Sequence, residues 1–126
     1  MYEVKFKFSA QLVADLITTA FEGGSNYWID KVELLQGGWD PNQTNWYADE
    51  SFFEKCNNFS FMVTSVDNIK YKIDFKVIQR AFEILACDIQ YVVVFSHLLD
   101  PEGANWDASD ADVFLQLCCF NELVYA

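Results

Sequence analysis

His97, the single histidine of the chain, and four cysteines, Cys56, Cys87, Cys118 and Cys119, are the side chains whose types could supply a nucleophile, a base or a metal ligand. A thiol and an imidazole make a nucleophilic pair only within hydrogen-bond reach of each other, and the two partners can come from anywhere in a fold. No local signature marks such a pair, because His97 borders an apolar run and the cysteines show no C-x-x-C spacing. Adjacent residues on a helix point in different directions, so Cys118 and Cys119 do not suit a tetrahedral zinc site. The cysteines read as small hydrophobes of apolar segments, and neither a metal nor a cofactor is expected.

A second constellation is Gly23-Gly24-Ser25-Asn26-Tyr27-Trp28. Glycine loops that cradle phosphate run from a strand into a helix N-terminus, where backbone N–H groups point at the anion. Here a helical pattern comes first and an extended one follows, so the glycines serve backbone geometry. Gly23 is expected to close the helix in the left-handed conformation, and Gly24 to let the chain reverse. A ligand pocket beside this corner is the alternative, in which Ser25 and Asn26 bond, and Tyr27 and Trp28 stack on, a planar base or sugar such as a signalling nucleotide.

The third constellation is electrostatic. The chain has 126 residues and a formal net charge of -11, and all eight of its Lys and Arg residues lie at or before Arg80. From Glu83 onward only acids occur, namely Glu83, Asp88, Asp100, Glu102, Asp107, Asp110, Asp112 and Glu122. Nucleic acid and anionic membrane call for a basic surface, which excludes both as direct partners and makes a basic protein surface the natural complement. Asp100, Glu102, Asp107, Asp110 and Asp112, with Trp106 as an apolar anchor among them, form one candidate partner-binding surface. Trp39, Trp46 and Tyr47, in a turn-rich stretch from residue 37 to 51, form another, since such rings give large rigid contact area. The simpler role for each set is a solvated helix start for the acids and gap-filling at the core edge for the rings.

These residues need elements to hold them. Tyr2, Val4, Phe6 and Phe8 alternate with polar residues as in a strand; Ser9 is placed to cap a helix whose apolar face is Leu12, Val13, Leu16, Ile17, Ala20 and Phe21. A strand is predicted over Tyr27 to Leu35, and a hairpin over residues 59–63 and 69–73 about Asp67-Asn68. A helix capped by Asp74 follows, with Phe75, Ile78, Phe82 and Leu85 inward. Tyr91 to Phe95 reads most simply as a buried strand, with a helix through Leu99 as the other reading. Asp107 or Ser109 caps a last helix, apolar almost all round from Val113 to Phe120, which must be central or lie at a homodimer interface. Asn121 closes it, and Leu123 to Tyr125 adds a final short strand. The expected fold is therefore one α+β domain over residues 1–126, a small mainly antiparallel sheet packed against about three helices. A hydrophobic content of 52% suffices for its core. Apolar runs fall short of a membrane span, and a strand pattern rather than a signal peptide follows Met1, so reduced thiols in a cytoplasm are expected.

Phe21-Glu22-Gly23-Gly24-Ser25-Asn26-Tyr27-Trp28, Asp110 to Gln116, and Phe120-Asn121-Glu122-Leu123-Val124-Tyr125 together resemble a family of small bacteriophage and prophage proteins. Its members carry a Glu-Gly-Gly, Asn-Tyr-Trp corner and a Phe-Gly-like turn before a Val-Tyr tail; Asn121 and Ala126 stand where glycine is usual. The resemblance implies phage context, and hence the cytoplasm of an infected bacterium, without a mechanism. Small acidic phage proteins lacking catalytic signatures commonly disarm host defences by binding. The expected function is thus a non-enzymatic, anti-CRISPR-like inhibitor that covers a basic surface of a host defence protein, with a nucleotide-binding sponge as the alternative.

Overall fold

A computed structural model describes residues 6–37, 45–54, 58–99 and 105–125. The fold is α+β: a three-stranded antiparallel sheet with helices packed about a central C-terminal helix. Among the described residues the elements are α1 (Ala10–Thr19), β1 (Ile29–Gln36), α2 (Glu50–Phe53), β2 (Ser60–Ser65), β3 (Lys70–Asp74), α3 (Phe75–Cys87), α4 (Val92–Leu98) and α5 (Ala108–Phe120). No single helix among them is long and apolar enough to cross a membrane.

The sheet has the order β1-β2-β3. Alternation places Phe61 and Val63 of β2 between Leu34 and Val32 on one side and Ile73 and Tyr71 on the other. Register shifts flank Asp30 and Leu35 in β1, and the second leaves Leu35 exposed. The hairpin turns where expected, at Asp67-Asn68, with Asn68 at φ 63, the left-handed region that asparagine tolerates. Trp46, Phe52, Phe53 and Phe59 gather around Phe61 and fill the space between sheet and helices with ring contacts of 5.0–6.5 Å.

Caps fix the helices where the sequence placed them. Ser9 accepts from the Leu12 amide and Asp74 from the Val77 amide, so α1 and α3 begin at the next residue in each case. Asp107 and Asp110 form a reciprocal capping box at the start of α5, and Asn121, at φ 65, ends it. Of the two placements open to this apolar helix, the structure has the central one: α5 packs on α1, α3, β3 and the turn after α1, with Phe114, Leu115 and Leu117 fully buried.

Five local expectations are corrected. Phe6, Lys7 and Phe8 belong to no strand, and Tyr2 and Val4 lie outside the described residues. Phe8 instead stacks on Phe82 of α3, with centroids 4.3 Å apart. Tyr91 to Phe95 is not a strand: Asp88 accepts from the Gln90 amide, opening a short 3-10 turn, Ile89–Tyr91, that runs into α4. Trp46–Ala48 and α2 give order to the second half of the stretch read as a loop, while residues 38–44, Trp39 among them, lie outside the described residues. Leu123 to Tyr125 is extended but joins no strand. Gly23 does not close α1 in a left-handed turn, since neither it nor Gly24 has positive φ. The helix widens instead into one π-helical turn, Ala20–Gly24, closed by the Ser25 amide bonding to the Ala20 carbonyl at 2.8 Å.

That turn passes against the first residue of α5. A Cβ on Gly24 would lie 2.4 Å from the Ala108 carbonyl oxygen, whereas one on Gly23 would meet nothing within 4 Å. Backbone faces backbone at Gly24, so no side chain can yield. Gly24→Ala is expected to destabilise the fold by about 1–3 kcal/mol, the range for overpacking a well-packed contact. Gly23→Ala should stay within about 0.5 kcal/mol of wild type. Urea denaturation midpoints of the two variants check this directly, and equal midpoints would remove the close approach as the reason for the second glycine.

Candidate functional site

The most organised polar cluster lies under the glycine corner. Asp112, on the second turn of α5, points inward and is only 9% exposed. Its Oδ1 accepts from the Ser25 hydroxyl at 2.7 Å and the Trp28 indole N–H at 2.8 Å. Its Oδ2 accepts from the Tyr27 hydroxyl at 2.8 Å and the Gln116 amide at 3.1 Å. A carboxylate offers about four lone-pair sites, so this one is saturated by neutral donors without a cation. Such donors offset the cost of burying it, which would otherwise amount to several kcal/mol.

Gln116, one turn along α5, extends the cluster to the C-terminal tail. Its Oε1 accepts from the Val124 and Tyr125 amides, both at 2.9 Å, and its Nε2 donates to the Tyr125 carbonyl at 3.1 Å. The side-chain amide thus bonds the tail as a neighbouring strand would, which explains an extended tail outside the sheet. Tyr125 then lies flat on Trp28, centroids 5.6 Å apart and planes 6° from parallel, while its hydroxyl donates to Asp67 at 3.0 Å. Phe120 covers another part of Trp28 at 5.1 Å.

The residues of the glycine-corner pocket are therefore brought together, but around Asp112 and the tail. Ser25 and Trp28 are fully buried, Tyr27 is half exposed with its hydroxyl bonded inward, and Asn26 is exposed. The stacking face of Trp28 that a planar ligand would use is occupied by Tyr125. Loss of solvent around the Tyr27 hydroxyl, then its bond to and charge repulsion by Asp112, push its pKa up to about 12.

The acidic set is not gathered on one surface. Asp110 is buried, and its Oδ2 accepts from the Asp107 amide at 3.1 Å and meets His97 Nδ1 at 2.9 Å. Asp110 and Asp112 thus face the interior, a correction to their placement on an exposed binding face. The cause is helical geometry, since α5 is packed on nearly all sides and leaves few positions for solvated side chains. Asp107 remains exposed, Trp106 is half buried, and Asp100 and Glu102 lie outside the described residues. Trp46 is a core residue and Tyr47 packs edge-on to Phe21 at 5.1 Å, so of the aromatic set neither described ring stands free for a partner.

His97 does find a carboxylate, thirteen residues away, which its neighbours in sequence gave no sign of. Among the described residues no hydroxyl or thiol bonds to this imidazole, and no group of three or more His, Cys, Asp or Glu is placed to hold a metal ion. The His97 pairing ties the last turn of α4 to the first of α5. Cys118 is buried, Cys119 half buried and Cys87 exposed, all three as free thiols, and burial pushes the Cys118 and Cys119 thiols well up. They are poor nucleophiles in that state. A cleft of about 650 Å³ lies elsewhere, between Phe6–Phe8, α1 and α3, and phenylalanine rings make up much of its lining.

Replacing Asp112 by Ala leaves buried donors of Ser25 and Trp28 without an acceptor, at about 1–3 kcal/mol each, and Asp112→Asn sets an amide N–H against them at a similar single cost. Chemical denaturation should therefore rank wild type above Asn above Ala. For Tyr27 the folded state favours the protonated phenol, so its contribution is complete below pH 10 and is lost as pH rises through about 12. A difference titration of wild type against Tyr27→Phe, read by phenolate absorbance, should show one phenol ionising near pH 12, returning toward 10 in Asp112→Asn. Comparison of the chain with family models, with curated proteins and with solved structures finds no match.

Proposed function

We propose that this protein is a non-enzymatic binder, phage-encoded, that inhibits a bacterial defence protein in the manner of an anti-CRISPR by covering a basic surface of it. The observation that carries this is the charge distribution: a net -11, with no Lys or Arg beyond Arg80. Burial of Asp110 and Asp112 removes two acids from the surface without changing that balance. Glu83, Asp107 and Glu122 remain exposed in the cation-free part of the chain. Phage origin rests on the resemblance of the glycine corner and the Val-Tyr tail, and the two matched stretches are the ones joined through Asp112 and Gln116. Their resemblance is thus one of architecture, and of these three exposed acids only Glu122 lies within them. The cluster's acceptors are met by the chain's own donors, so nothing favours the nucleotide-sponge alternative at this corner.

Electrostatic capture predicts salt sensitivity. Expression in a bacterium with active CRISPR interference should restore plating of a targeted phage, and Glu83→Gln, Asp107→Asn and Glu122→Gln together should cut that rescue at least tenfold with the fold intact by circular dichroism. Asn at 107 keeps a helix cap, so stability is not the variable. Full restriction in the presence of the wild-type protein, across strains with different defence systems, would overturn the proposal.

A further inference from the structure

Among the described residues, α4 and the turn before it present the most exposed run of apolar side chains. Tyr91, Val94, Phe95 and Leu98 pack inward, toward α3, α5 and the Phe6 ring. The opposite side is also apolar: Ile89 is 87% exposed, Val92 56%, Val93 61% and Leu99 40%. Positions 89, 92, 93, 96 and 99 recur at helical spacing, and only Ser96 among them is polar, its hydroxyl turned back to the Val93 carbonyl at 2.7 Å. This is the pattern of a helix apolar all round, which requires cover on two sides and here receives it on one.

We propose that this stripe is the apolar anchor by which the protein grips its target, a basic amphipathic helix or ridge whose apolar residues seat on Val92 and Val93 and whose Lys and Arg meet the surrounding acids. The assignment rests on the acidic-binder function proposed above and locates its contact. Area shows that the stripe needs help to hold a partner, and charge chooses this occupant over a second copy of the chain. The four side chains expose on the order of 450 Å² together, within the size at which a monomer's largest apolar patch is commonly functional. That is roughly half of the ~800 Å² per partner in a stable protein–protein contact, so a charged rim must supply the rest. Acids stand near both ends of the stripe, Asp88 opening the turn and Asp107 starting α5, whose Asp110 bonds His97 of α4, and the chain as a whole carries a net -11. Two such surfaces repel each other, whereas a basic one is drawn in and then anchored.

The test uses a fluorescent synthetic helix with a leucine stripe and a lysine rim, and its glutamate-rimmed counterpart, read by anisotropy against the full chain. Wild type should bind the lysine peptide and not the glutamate one, and Val92→Ser with Val93→Ser should weaken binding at least tenfold. Both side chains are more than half exposed, so the double variant should keep its melting temperature, and amide chemical-shift changes in wild type should map to residues 88–99. Equal affinity of the double variant, shifts confined to other residues, or no binding of the lysine peptide would overturn the anchor. Sedimentation showing a wild-type dimer that the double variant abolishes would overturn it in favour of a second copy. If the double variant still rescues targeted phage while the acid-neutralised variant does not, the anchor fails and the acidic-binder function stands. Equal binding of the two peptides would instead remove charge complementarity itself.

Discussion

A carboxylate taken out of water without a counter-ion has to be met by hydrogen-bond donors fixed in place, and in this protein four of them converge on Asp112. They come from two parts of the chain, Ser25, Tyr27 and Trp28 of the glycine corner and Gln116 of α5, and Gln116 in turn holds the tail at Val124 and Tyr125. Displacing the corner or Gln116 leaves the carboxylate short, and displacing the tail leaves the Gln116 amide short, so corner, helix and tail belong to one hydrogen-bond network. The Gly24 contact with Ala108 belongs to the same constraint, because the corner must come within backbone distance of α5 for Ser25 and Trp28 to reach. The π-helical turn before it, which displaces the chain where an α-turn would have continued, is the local form that this approach takes.

With Asp112 and Gln116 directed inward among apolar neighbours, α5 is the helix around which the others are arranged, and that has a consequence for function. Two of the five acids grouped as a candidate partner surface, Asp110 and Asp112, are structural. Asp110 caps α5 and holds His97, and so fixes α4 at the edge of the fold. The exposed stripe of α4 is thus presented by the same buried polar contacts that withdraw those acids from the surface. Contacts of this kind saturate the Asp112 carboxylate with the chain's own donors, so this buried cluster serves to hold the fold together.

Local signals were legible where one interaction dominates. Ser9 and Asp74 announced two helix starts, and Asp107 was one of two candidates for a third, because a cap depends on residues three positions away; Asp67-Asn68 announced the hairpin turn and Asn121 the closure of α5 for a similarly local reason. Alternation gave β2 and β3, whose inward residues Phe61, Val63 and Ile73 repeat every second position. The run from Tyr91 to Phe95 could not be resolved in this way: Tyr91, Val94, Phe95 and Leu98 form a helical inner face, but Val92 and Val93 opposite are apolar too, so the sequence shows an unbroken apolar run with no periodicity to read. The tail looked like a strand because its residues suit an extended backbone, but its amides bond the side chain of Gln116 eight and nine residues back and not a neighbouring strand.

The sequence by itself determined the α+β class, the caps and turns, the charge of -11 and its one-sided distribution, since each depends on composition or on neighbours within a few residues. Only the tertiary structure decided which of the acids are surface charges, that Ser25 and Trp28 serve Asp112 across more than eighty residues, and that α4, rather than α5, is left with an open apolar face. Those outcomes depend on burial and on long-range donor geometry, and an acidic residue on an amphipathic pattern carries no mark of whether the side chain opposite it will be water or an indole N–H.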